Sequence, residues 1–126
     1  MTSETTSMRV LVIDDNVDAA DSLAVLLEML GHATKALYTG ENAVQEWRSW
    51  APDVVLLDIG LPVADGYEVA RRLRAEGCAA LLVALTGWGS DADRQRAREA
   101  GFDHHLTKPV ELEAVEKLLK TAPAAR

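Results

Sequence analysis

Along this chain, uninterrupted apolar runs alternate with stretches whose apolar residues recur every three or four positions. Arg9 to Ile13, "VVLL" (54–57) and "ALLVAL" (80–85) are nearly continuous in apolar character, the pattern of strands buried on both faces. "HATKALY" (32–38) is more polar and is expected at a sheet edge, and His104 to Leu106 reads as a short last strand. Ala20, Leu23, Ala24, Leu27 and Leu30 form one helical stripe, capped by Asn16 or Asp15 and closed by Gly31. Further helices are predicted from Glu41 to Trp50 (Ala43, Val44 and Trp47 inward), around Tyr67, Ala70 and Leu73 as far as Gly77, from Asp91 to Ala100, and around Leu112, Val115 and Leu119. Trp47 and Trp50 are expected at the core and rim of the second helix. Five strands alternating with five helices predict an α/β fold, a doubly wound parallel sheet covered on both faces.

The residues that follow the strands change the picture from architecture to chemistry. The first strand runs into Asp14 and Asp15, the third into Asp58, the fourth into Thr86, and the fifth into Lys108 and Pro109. Ligands of doubly wound sheets bind beyond the carboxyl ends of the strands, so these residues are expected at one edge. Neighbouring carboxylates raise each other's cost of ionisation and need compensation from a cation, a basic side chain or water. Mg²⁺ suits such a set, because it takes oxygen ligands and sits where carboxylates meet phosphate. A remaining carboxylate can act as a nucleophile toward phosphorus. Lys108 would supply a point charge, and the Thr86 hydroxyl a hydrogen bond to a phosphoryl oxygen.

"VIDDN", "LLDIGLPVADGYEV", "ALTG" and "LTKP", in this order and spacing, resemble the receiver domains of two-component response regulators over residues 9 to about 121. The resemblance implies a flavodoxin-like (βα)5 fold with strand order 2-1-3-4-5. It implies that Asp58 is the phosphoacceptor, that Asp15 binds Mg²⁺ directly and Asp14 through water, and that the Gly60 backbone carbonyl is a further ligand beside Asp58. Thr86 matches the residue that reorients toward the phosphoryl group, and Lys108 the one that pairs with it. Gly66 matches the glycine that lets the loop enter the third helix, and the Lys108–Pro109 peptide is usually cis in the family. The implied donors are a sensor histidine kinase or a histidine phosphotransfer protein. The implied output surface is the fourth helix, fifth strand and fifth helix.

Some positions depart from the family pattern. His105 stands where many receivers carry the Tyr or Phe of a switch coupled to the threonine, and "DHHLTKPV" is similar to receivers of hybrid histidine kinases and some stand-alone receivers. A histidine there is expected to make the coupling sensitive to pH. Leu61-Pro62-Val63-Ala64 replaces residues that are often methionines, and Gly60 has no side chain to place over the acceptor. Trp88, just after Thr86, is either a loop anchor or a partner-facing ring. His104 and His105 are adjacent on a strand and point to opposite faces, which argues against a transition-metal site. Arg94, Arg96 and Arg98 read as a solvated helix face or as partner contacts.

Composition narrows the remaining choices. A length of 126 residues suits one domain, expected at 9–121 between a disordered segment (1–8) and a short tail (122–126). A net charge of −7 disfavours a nucleic-acid partner. No apolar run is long enough to span a membrane, and "MTSETTS" has no signal-peptide core. With Cys78 the lone cysteine, a reducing, cytoplasmic setting is expected. Three rivals compete with a phosphoacceptor signalling domain that is not otherwise an enzyme. A haloacid-dehalogenase-type phosphatase would carry its nucleophile on the first strand and a second Asp two residues on. A receiver that binds without phosphorylation would not need the full Asp14, Asp15, Asp58, Thr86 and Lys108 set. A flavin phosphate would meet repulsion at the acidic edge.

Overall fold

The computed structural model describes residues 7–61, 65–87 and 91–121. Five strands, β1 (Arg9–Ile13), β2 (Ala33–Leu37), β3 (Val54–Asp58), β4 (Leu81–Thr86) and β5 (His104–Thr107), alternate with α1 (Val17–Met29), α2 (Ala43–Trp50), α3 (Gly66–Ala75), α4 (Asp91–Ala100) and α5 (Leu112–Leu119). The sheet is parallel in the order β2-β1-β3-β4-β5. The expected flavodoxin-like topology is therefore observed, with β2 at an edge.

The unbroken apolar strands are explained by the two cores they separate. Leu11, Ile13, Val55, Leu57, Leu82 and Ala84 point to the α2–α3–α4 side, where Tyr67, Ala70 and Leu73 of α3 meet them. Val10, Val12, Val54, Leu56, Val83 and Leu85 point to the α1–α5 side, against Leu23, Leu27, Val115 and Leu119. Burying each such aliphatic side chain contributes about 1.5–3 kcal/mol, so both faces hold the central strands in register. Trp47 and Trp50 are both half-buried against the first of these cores.

Helix entry is set by side-chain caps. Asn16, rather than Asp15, caps α1 by accepting the Ala19 amide at 3.1 Å, and Asp65 caps α3 by accepting the Glu68 amide at 2.9 Å. Helix α2 begins two residues later than its pattern suggested, behind Asn42. The strand expected from residue 32 starts at Ala33, because the His32 amide still donates to the Leu27 carbonyl of α1 at 3.1 Å, and the Ala33 amide is the first to reach across, to the Met8 carbonyl at 2.9 Å.

Candidate functional site

The loops after β1, β3 and β5 are tied to the sheet by main-chain hydrogen bonds before any side chain acts. The Asp14 amide donates to the Leu37 carbonyl at 3.0 Å, the Ile59 amide to Leu85 at 3.1 Å, and the Lys108 amide to Thr86 at 2.7 Å. A tight approach fixes the loop after β3, where the Gly66 amide donates to the Ile59 carbonyl at 3.2 Å. A Cβ on Gly66 would lie 2.5 Å from Ile59 Cα and 2.6 Å from the Asp58 carbonyl oxygen, so only glycine fits. The Lys108–Pro109 peptide is cis, as the family resemblance implied.

On this frame, Asp14, Asp15 and Asp58 each bring a carboxylate oxygen to within 4.8 Å of the others. Asp14 and Asp58 are almost closed to solvent, at 3% and 7% exposure, whereas Asp15 is exposed. Each buried carboxylate is held at one oxygen by the backbone two residues on. Asp14 Oδ1 accepts the Asn16 amide at 3.0 Å, and Asp58 Oδ1 accepts the Gly60 amide at 2.8 Å. Their other oxygens share the Lys108 ammonium, whose Nζ donates to Asp14 Oδ2 at 3.0 Å and to Asp58 Oδ2 at 3.2 Å. Burial alone would lower the Lys108 pKa, but the hydrogen bonds and charges of Asp14 and Asp58 outweigh it and hold the ammonium above the ordinary lysine value.

The sequence placed Asp14, Asp15, Asp58 and Lys108 at one edge, and the structure brings them together. Three carboxylates against one ammonium leave a formal charge of −2 in a small volume. All the donors are hard oxygens, so the set fits a divalent cation such as Mg²⁺. Thr86 lies beside this edge at the end of β4, 5% exposed. His105 reaches the same neighbourhood, since both residues line a cavity of about 10 Å³ with Ile59, Ala84, Arg94 and Ala97. Burial first, then the charges of Arg94, Arg98 and His104, push the His105 pKa below its usual value. Pro109 is exposed beside Lys108, and Trp88 and residues 62–64 lie outside the described residues.

Two structural roles escaped sequence reasoning. Arg74, in the last turn of α3, donates to the carbonyls of Gly101, Cys78 and Ala80, each at 2.9 Å, and pairs with Asp103 at 2.8 Å. Nothing in its spacing signals this, because three of its partners are main-chain oxygens. Arg96 is not merely part of a solvated face: its guanidinium lies 4.2 Å from the centre of the Tyr67 ring, linking α4 to the start of α3.

Comparison with known proteins agrees with this geometry. The family model of the response regulator receiver domain matches residues 10–120. The chain is 38% identical over 125 residues to the virulence sensor protein BvgS of Bordetella pertussis, covering 94% of this chain and 10% of that protein. It is 36% identical over 107 residues to the response regulator MprA of Mycobacterium ulcerans, covering 85% of this chain and 46% of the relative. The chain thus spans less than half the length of these relatives. A putative response regulator from Chloroflexus aurantiacus superposes with a TM-score of 0.84 at 27% identity, over 92% of this chain and 97% of that one. The chemotaxis protein CheY4 of Vibrio cholerae shares the fold, with a TM-score of 0.87 at 22% identity over 94% of this chain and all of that one (100%). Among the described residues, no helix is long and apolar enough to cross a membrane. With the family model matched over nearly its whole length, the chain belongs to the response regulator receiver domains of two-component systems, a signalling family rather than an enzyme family.

Proposed function

We propose that Asp58 accepts a phosphoryl group from a phosphohistidine of a sensor histidine kinase or histidine phosphotransfer protein. The observation that carries this is the Lys108 ammonium bridging Asp14 and Asp58 beside the exposed Asp15. A carboxylate oxygen of Asp58 attacks phosphorus, an acyl-phosphate O–P bond forms, and the P–N bond to the donor imidazole breaks. The Gly60 amide fixes the orientation of the Asp58 carboxylate. Lys108, already within hydrogen-bond reach of Asp58, is placed to stay with the charge as it moves onto the phosphoryl oxygens. Asp14, Asp15, Asp58 and the Gly60 carbonyl are the groups that would hold Mg²⁺, which would neutralise phosphoryl charge when bound.

Thr86, buried at the end of β4, would donate its hydroxyl to a phosphoryl oxygen, and its displacement would be felt by His105 across their shared cavity. From there the change reaches α4, β5 and α5, the face proposed to meet a downstream protein. Protein partners, rather than nucleic acid or membrane, and a cytoplasmic setting complete the proposal, with the receiver unit at 9–121. Intact-mass analysis after incubation with acetyl phosphate and Mg²⁺ tests it. One added phosphoryl group is expected in the unaltered chain, none in Asp58→Asn, and none after chelation. An adduct that persists in Asp58→Asn would overturn the assignment.

A further inference from the structure

We infer that the groove between α4 and β5, with α5 on its far side, takes a carboxylate-rich segment of a partner protein. This rests on the proposal that the α4–β5–α5 face is where the domain meets its downstream partner, and it adds the chemistry of that partner.

The starting observation is where the uncommitted positive charge lies. The chain carries 13 lysines and arginines against 20 acids. Lys35, Arg48, Arg71, Arg72, Arg74 and Lys108 are paired with carboxylates. Arg9 donates to the Trp50 carbonyl at 2.8 Å, and Arg96 covers Tyr67. Among the described residues this leaves Arg94, Arg98, Lys117 and Lys120 without a carboxylate or ring partner, and all four belong to α4 or to α5 and its C-cap. Of these four, Arg94 and Arg98 share one groove, and on a strongly acidic protein two such cations side by side are a recognition feature rather than general solubilising charge.

Geometry turns that charge into a groove. Arg94 and Arg98 are exposed and one helical turn apart, so they project from the same side of α4. With His104 and His105 of β5 they line a groove of about 290 Å³, floored by Phe102 and closed by Leu118 of α5. The acid in its wall, Asp103, is already engaged, accepting the Leu82 amide at 2.9 Å and the Arg74 guanidinium at 2.8 Å. Arg98 holds only a neutral partner, donating to Gln95 Oε1 at 3.0 Å. Two guanidiniums above an apolar floor suit carboxylates borne on a peptide that also offers apolar contact. The net charge of −7 works against nucleic acid and against face-to-face pairing of two copies.

The test is a titration of the full ¹⁵N-labelled chain with an octaglutamate peptide, followed by amide chemical shifts, with octalysine as control. Shifts are expected to be saturable, to gather between residues 94 and 120, and to weaken as salt is raised. Arg94→Glu with Arg98→Glu should weaken binding by about tenfold or more, because two attractive contacts become repulsive. Both side chains are exposed, and an unchanged urea midpoint for this double variant keeps folding out of the comparison. Shifts scattered over the surface, no saturation, or indifference to the charge reversal would overturn the inference. So would salt-sensitive self-association in sedimentation that the same variant abolishes, since the occupant would then be a second copy. Equal shifts with a DNA duplex would also overturn it. The acetyl phosphate experiment is independent of this one. Glutamate binding with an adduct that persists in Asp58→Asn leaves the groove intact and removes Asp58 as acceptor, and an Asp58-dependent adduct without glutamate binding does the reverse.

Discussion

Both ends of the sheet carry acidic side chains against the backbone, and they use them in opposite ways. At the amino ends of the strands, Asp53 Oδ2 accepts the Arg9 amide at 2.9 Å, while its own amide donates to the Arg9 carbonyl at 2.8 Å. Asp103 accepts the Leu82 amide and pairs with Arg74. These carboxylates sit apart, and each stitches one strand to the next. At the carboxyl ends, Asp14, Asp15 and Asp58 converge within 4.8 Å and share a single ammonium. A buried acid is therefore not in itself a sign of function. Charge left over after every local partner has been counted is such a sign, because folding alone gains nothing from holding like charges together.

The largest effect is expected at the structural end. Arg74→Ala removes hydrogen bonds to three carbonyls and an ion pair that together join α3, the start of β4 and the turn before β5. A stability loss of about 3 kcal/mol is expected, measured as a lower urea midpoint, because charged hydrogen bonds are worth about 1.5–3 kcal/mol each and only part is recovered from water. Arg74→Lys should recover little of it, since one ammonium cannot reproduce the fork of a guanidinium. A loss near zero would mean that the two ends do not differ as described.

The acidic cluster at the carboxyl ends should respond in the other direction. Without a divalent cation, Asp15→Asn is expected to raise stability slightly, by about 0.5 kcal/mol, because an exposed like charge is removed and, among the described residues, its carboxylate accepts no hydrogen bond that would be lost. Mg²⁺ at ten times its dissociation constant should add about 1.4 kcal/mol to the unaltered chain and much less to Asp15→Asn. Asp103→Asn should keep the full Mg²⁺ increment despite its lower starting stability. Equal increments in all three proteins would show that the acidic edge does not hold the ion.

How much of this was legible in the sequence follows the same division. The strands were readable because burial on both faces leaves no polar position in "VVLL" or "ALLVAL". Ends were less so: β5 runs one residue further, to Thr107, and β3 includes Asp58, because ladder hydrogen bonds do not depend on side-chain polarity. Asp14, Asp15, Asp58 and Lys108 could be placed at one edge because the topology forces strand ends together. Arg74 could not be singled out, because its partners are carbonyls brought near only by the fold. Arg94, Arg96 and Arg98 looked alike as a charged run, yet helical spacing already separates them. Residues 94 and 98 share a side, and 96 turns toward Tyr67.

The smallest expected effect concerns His105, which stands between the two ends in character, being partly buried and not tied to a carboxylate. Burial disfavours its charged form, and Arg94 and Arg98 from α4 and His104 from its own strand add to that, while Asp93 of α4 also lines the shared cavity. The folded-state pKa is therefore below the unfolded value near 6.5, so the unfolded chain takes up the proton first. The stability contributed by a neutral His105 is fully present above that value and is lost as pH falls from it through the lower folded pKa. Urea midpoints measured as pH is lowered through this window should fall less steeply in His105→Phe than in the unaltered chain. His32, also held neutral by burial though opposed by Glu116, contributes a slope of the same sign that remains in both proteins. Identical slopes would remove His105 as a titrating element. A shallower slope together with a pH-independent response of α4 amides to beryllofluoride would confine its protonation to stability and leave signalling untouched.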